Sequence, residues 1–174
     1  MKDGDEVILS VVGFPTTLAP IVQNNLKPVF IDIEMDTLNF DLAKIKDKIT
    51  DRTRAILISP VLANSPDLVK LLSIAKSYKN IIIILDNCDS LGTKFNNLNI
   101  NKYSDVSSCS FYASHHLSIG EGGMVYSNNK ELIPFLDLRI PNLSYCSTCF
   151  SISCSSVFHH NSQLNQDSFL LLES

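Results

Sequence analysis

The sequence predicts a layered α/β domain on a mainly parallel sheet, followed by an irregular tail. Three observations carry that reading. Short apolar, β-branched runs recur through the first 139 residues, amphipathic segments separate them, and both patterns stop after Arg139. Strand and helix in alternation indicate helices packed over a parallel sheet. Strands buried on both faces read as continuous apolar runs, since neither side meets water. At 174 residues, 45% of them hydrophobic, the chain is the size of one domain and can fill a core.

The strands are expected at E-V-I-L-S-V-V (6–12), P-V-F-I-D-I (28–33), R-A-I-L-I-S (54–59) and N-I-I-I-I-L-D (80–86), each buried on both faces. Residues 15–25, 41–49 and 66–79 read as helices. In the third, Leu68, Leu71, Leu72 and Ala75 share one face, Pro66 lies near the start and Ser65 is the expected N-cap. V-S-S-C-S-F-Y (106–112) reads as a further strand, G-G-M-V-Y-S (122–127) as a short one after a glycine turn, and 130–138 as the start of another helix. Residues 140–174 contain no Lys or Arg and two acids, Asp167 and Glu173, and nine of the last 31 residues are serine. No helical or strand period persists there. The tail reads as irregular, with disorder or translation out of the ancestral frame as the two readings. The domain division is therefore 1–139 and 140–174.

A net charge of −4 and a pI near 5.5 provide no basic field for a phosphate backbone, which sets nucleic acid aside. The start, M-K-D-G-D-E-V-I-L, is charged where a signal peptide has its apolar core. No apolar run approaches the roughly 18 residues of a membrane span. A cytoplasmic chain is expected. Five cysteines are an odd number, so in a reducing compartment metal or cluster ligation is a sharper reading than a disulfide framework.

Ligands of open α/β sheets gather at the carboxyl ends of strands, which is where Asp86 stands, directly after I-I-I-I-L. It reads either as a solvated acid or helix cap, or as the partner of a cationic ring nitrogen in a pyridoxal-type cofactor. His115 and His116 read as loop histidines, as a metal site, or as a general base. Adjacent residues diverge and no third ligand follows at a recognised spacing, which weakens the metal reading. The G-E-G-G turn (120–123) could offer backbone amides to a phosphate.

Taken in order, G-D-E-V-I-L, G-F-P-T-T-L-A-P-I-V-Q-N, P-V-F-I-D-I, T-R-A-I-L-I, L-D-N-C-D-S-L-G and S-F-Y-A-S-H-H-L-S-I-G-E-G-G-M-V resemble the nucleotide-sugar aminotransferase family. Its members use pyridoxal phosphate on an aspartate-aminotransferase-type fold (fold type I). The resemblance runs from about Gly4 to Ser127 and implies a partial large domain of that fold over 1–139. Where the family's S-F-x-x-x-K motif carries the cofactor-binding lysine, this chain has His115. A histidine there, followed by G-E-G-G, is similar to the 3-dehydratase branch. That branch uses pyridoxamine phosphate to remove the 3-hydroxyl of a nucleotide-linked 4-keto-6-deoxyhexose, in deoxysugar and lipopolysaccharide synthesis.

The resemblance implies His115 as the base and His116 as its neighbour. It implies Asp86 facing the pyridine nitrogen, Phe14 stacked on the ring and Ser110 near the cofactor phosphate. Asp89 stands where related transaminases have glutamine near the ring hydroxyl. Cys88 and Cys146, with fifty-seven residues between them, reproduce the first interval of the cysteines that hold a [2Fe–2S] cluster in dehydratases of CDP-sugars. Thr148 stands where the next of those cysteines belongs, and Cys149 and Cys154 are displaced. Cys88 also reads as a small buried residue behind Asp86.

The family pattern further implies a homodimer and a reductase partner. It has a phosphate-binding loop ahead of the G-D-E-V strand and a small domain after the large one. On that pattern the chain is expected to be a fragment, weak or inactive. A pyridoxal-phosphate aminotransferase and a non-catalytic α/β interaction module are the alternatives.

Overall fold

The structure, a computed structural model, describes residues 1–118, 123–127, 129 and 132, and the backbone of 156–158 and 168–173. The chain runs β1 (Glu6–Ser10), α1 (Pro15–Gln23), β2 (Lys27–Ile31), α2 (Ile45–Lys48), β3 (Thr53–Ile58), α3 (Leu68–Lys76) and β4 (Ile82–Asp86). A small hairpin, β5 (Lys94–Phe95) and β6 (Leu98–Asn99), leads through a 3₁₀ turn (Ile100–Tyr103) to β7 (Val106–Ser110) and β8 (Gly123–Ser127). Two strands follow, β9 (Ser156–Phe158) and β10 (Ser168–Glu173). The main sheet has the order β2-β1-β3-β4-β7-β8-β10-β9. From β2 to β7 neighbours are parallel; β8 pairs antiparallel with β7.

The α/β class with a mainly parallel sheet is as expected. Side-chain alternation divides the core into two layers. Ile8, Ile56, Ile58, Ile83 and Leu85 point to the face covered by α2, α3 and the 3₁₀ turn, where they meet Ile45, Leu68, Leu71, Ile74 and Ile100. Val7, Leu9 and Ala55 point to the other face, against Ile21 of α1. Among the described residues one helix covers that second face, and Leu57, Ile82 and Ile84 on it are only half-buried.

Several expectations are corrected. β2 is an edge strand in the described sheet, so Lys27 and Phe30 are exposed and only Ile31 is fully buried. Helix α3 is capped by Asp67, whose carboxylate accepts from the Lys70 amide at 2.9 Å. The Ser65 hydroxyl instead turns to the Pro66 carbonyl, 3.0 Å away. Within 140–174, the described backbone of 156–158 and 168–173 forms β9 and β10. β10 pairs antiparallel with β8 in the register Phe169↔Tyr126, and β9 pairs with β10. The edge of β8 offers unpaired backbone groups, and S-F-L-L-L-E is a short apolar run able to take them. The expected helix at 130–138 lies outside the described residues.

Candidate active site

Strand β1 has β2 on one side and β3 on the other, so the chain reverses its direction of travel across the sheet at β1. A crevice opens at the carboxyl ends where such a reversal occurs. A shallow depression of about 200 Å³ lies there, lined among others by Ser10, Val11, Phe14, Thr17 and Ser59. The expected strand 6–12 ends early because the Ser10 hydroxyl accepts from the Val12 amide at 3.1 Å, turning the chain out of the ladder. Pro15 then opens α1 with its φ already helical and no N–H to leave unpaired. This puts the Phe14 ring at the helix start, 71% exposed on the rim of the depression.

Asp86 is the last residue of β4. Its Oδ2 accepts from the Thr17 hydroxyl at 2.9 Å and its Oδ1 from the Cys88 amide at 3.4 Å. The loop that follows is anchored. Asn87, 1% exposed, donates its backbone N–H to the Ser108 carbonyl at 2.7 Å and its side-chain amide to Asn101 at 3.1 Å. Its side-chain oxygen accepts from the buried Ser90 hydroxyl at 2.7 Å. Cys88 is half-buried, and burial, followed by the neighbouring Asp86 charge, pushes its thiol far up from the ordinary range. It is a protonated thiol rather than a nucleophile.

Ser110 ends β7 and is buried, with its Oγ accepting from the Tyr112 amide at 3.2 Å. The Tyr112 carbonyl accepts from the His115 amide at 3.0 Å, closing a turn that swings His115 back over the strand ends. There His115 Nδ1 lies 3.3 Å from Asp89 Oδ1, with side chains 20% and 56% exposed respectively. His116 is exposed.

The fold thus brings Phe14, Asp86, Asp89, Ser110 and His115 to the same end of the sheet, at or just after the ends of β1, β4 and β7. Thr17 was not singled out in the sequence. The available signal was a hydroxyl in the first turn of the helix that follows β1. Among the described residues, no group of three or more His, Cys, Asp or Glu is placed to hold a metal. Cys146 lies outside the described residues, as does the G-E-G-G turn apart from Gly123. Among the described residues, no helix is long and apolar enough to cross a membrane.

Comparison with known proteins finds relatives over most of the chain. The lipopolysaccharide biosynthesis protein RfbH of Salmonella typhimurium is 41% identical over 132 residues, which are 76% of this chain and 30% of that protein. The GDP-4-keto-6-deoxy-D-mannose 3-dehydratase of Yersinia pseudotuberculosis is 39% identical over 135 residues, 78% of this chain and 34% of that one. A solved structure of the E. coli GDP-4-keto-6-deoxy-D-mannose 3-dehydratase, with bound hydrated PLP, superposes with a TM-score of 0.74 at 34% identity. It covers 83% of this chain and 37% of that structure. The chain spans about a third of the length of the curated relatives it matches. Residues 1–139 match the model of the DegT/DnrJ/EryC1/StrS aminotransferase family, and the chain belongs to that family.

Proposed function

We propose that the chain builds the ring-facing and proton-transferring part of a pyridoxamine-phosphate-dependent site that dehydrates a nucleotide-linked 4-keto-6-deoxysugar at carbon 3. One observation carries the reading: His115, at the sixth position of the S-F-Y-A-S-H stretch where the resemblance implies the family's lysine, lies in the loop over the strand ends with its Nδ1 3.3 Å from Asp89. The relatives named as 3-dehydratases support it.

The residues fit such a cofactor. Asp86 presents a carboxylate held at both oxygens, Phe14 an exposed aromatic face one helical turn from Thr17, and Ser110 a buried hydroxyl. Pyridoxamine phosphate, when bound, supplies a primary amine for the sugar ketone and an electron-withdrawing ring. Asp86 would face the ring nitrogen and favour its protonated form, and the Thr17 hydroxyl and Cys88 amide hold its carboxylate for that role. Phe14 would cover one ring face and exclude water from it. Ser110 would serve the phosphate.

His115 would be the base, its imidazole accepting a proton from the bound cofactor and returning it. Histidine titrates in the range useful for this, and it lacks the primary amine with which lysine bonds the cofactor's aldehyde. A histidine there favours elimination over transamination. A cytoplasmic setting, a second copy of the chain and a reductase acting on the product belong to the same proposal.

The test is binding, followed by trapping. Pyridoxamine phosphate should bind the chain, as read by its absorbance and fluorescence, and Asp86→Asn should weaken binding at least tenfold. With pyridoxal phosphate and borohydride, the peptide containing position 115 should stay unlabelled in the natural chain and become labelled in His115→Lys. Absence of cofactor binding by the natural chain would overturn the proposal.

A further inference from the structure

We infer that Asp89 is a positioning residue that sets the tautomer of His115, leaving Nε2 as the bare, proton-accepting nitrogen. The inference rests on the dehydratase reading for its purpose, but its geometry stands independently. The family resemblance implies a place for Asp89 near a cofactor hydroxyl. Among the described residues, its one polar side-chain partner is instead His115 Nδ1, at 3.3 Å.

The chemistry of the pair is one-sided. An ionised carboxylate can only accept, so a hydrogen bond between the two requires the proton on Nδ1. In the neutral ring Nε2 then carries a lone pair and no hydrogen. A histidine side chain free in water prefers the opposite tautomer, with the proton on Nε2. Asp89 therefore inverts the preference and presents the nitrogen that faces away from it as a base. Carboxylate–imidazole pairs act by orientation in this way wherever one nitrogen must be kept bare.

The platform under Asp89 is rigid enough for this role. Asn87 and Ser90, on either side, are 1% and 0% exposed and are hydrogen-bonded to each other and to the β7 side of the sheet. The Asp89 side chain is more than half exposed, so it fills no core position and its removal should leave the fold intact. His116, next in the chain, is exposed and has no carboxylate partner among the described residues, which makes it an internal reference.

The experiment is a long-range proton–nitrogen NMR spectrum of the full chain with ¹⁵N-labelled histidine. It is recorded at about pH 8.5, roughly two units above the ordinary histidine value. The four histidines are assigned with His115→Gln and His116→Gln. The natural chain should show His115 mainly protonated at Nδ1 and His116 mainly at Nε2. In Asp89→Ala, His115 should revert to the Nε2–H form. In Asp89→Asn, whose amide oxygen still accepts, it should keep most of the Nδ1–H form. Circular dichroism checks that each variant is folded. Identical tautomers at His115 and His116 in the natural chain, or no change at His115 in Asp89→Ala, would overturn the inference. Pyridoxamine phosphate binding, measured on the same samples, separates the two ideas. Binding without the inverted tautomer sinks the positioning role alone, and the inverted tautomer without binding sinks the dehydratase reading alone.

Discussion

Asp86 was legible in the sequence because an acid directly after a run of isoleucines has few places to be other than a strand's end. Its partner was not, since Thr17 lies 69 residues away and only the closed sheet brings the two together. The same holds for Asp89 and His115, 26 residues apart. A hydrogen bond to a charged group contributes about 1.5–3 kcal/mol, and about 1.4 kcal/mol corresponds to tenfold in affinity. Thr17→Val keeps the side chain's shape while removing the donor to Asp86. It should weaken pyridoxamine phosphate binding roughly tenfold by titration, whereas Thr17→Ser should stay near the natural value. Equal binding by the two variants would show that the hydroxyl does not orient the carboxylate.

Periodicity located the elements well where they are long and packed. In α3, Leu68, Leu71 and Ala75 are buried as expected, while Ile74 takes the buried place expected of Leu72, which is only half-buried. Leu71 is fully buried against the β-sheet, so Leu71→Ala leaves a cavity and should lower unfolding free energy in urea by about 2–5 kcal/mol. Val69→Ala, on the exposed side of the same helix, should stay within about 0.5 kcal/mol. The β5–β6 hairpin escaped notice because each strand has two residues. Its signal was Asn96-Asn97, both at positive φ, as the primed hairpin turns require. The edge position of β2 could not be read either. An apolar run does not disclose its neighbours, and strand order is decided by pairing across the whole sheet.

At the scale of the molecule, a buried carboxylate and its ion pair lie at the end of the sheet opposite the candidate site. Glu6 opens β1, buried, accepting from the Thr50 hydroxyl and paired with Lys27 at 3.0 Å. The Thr50 hydrogen bond, then that to Lys27, hold its carboxyl below the ordinary range. A depressed folded value means that the unfolded chain binds the proton more tightly. Its stabilisation is therefore complete above the ordinary glutamate value of roughly 4.3 and is lost as pH falls through the lower folded value. Glu6→Gln should be less stable than the natural chain at pH 7, and the gap measured in urea should close as pH drops through the acid range. A gap independent of pH would show that Glu6 acts through packing alone. The tie between Thr17 and Asp86 also has a consequence in time. Helix α3 closes on neighbours a few residues away, but this tie joins the helix after β1 to the end of β4. Contacts so distant along the chain must wait for loop closure and form slowly. In a refolding experiment the helical signal should therefore rise first and cofactor capture last, so that capture counts only molecules whose sheet is already complete.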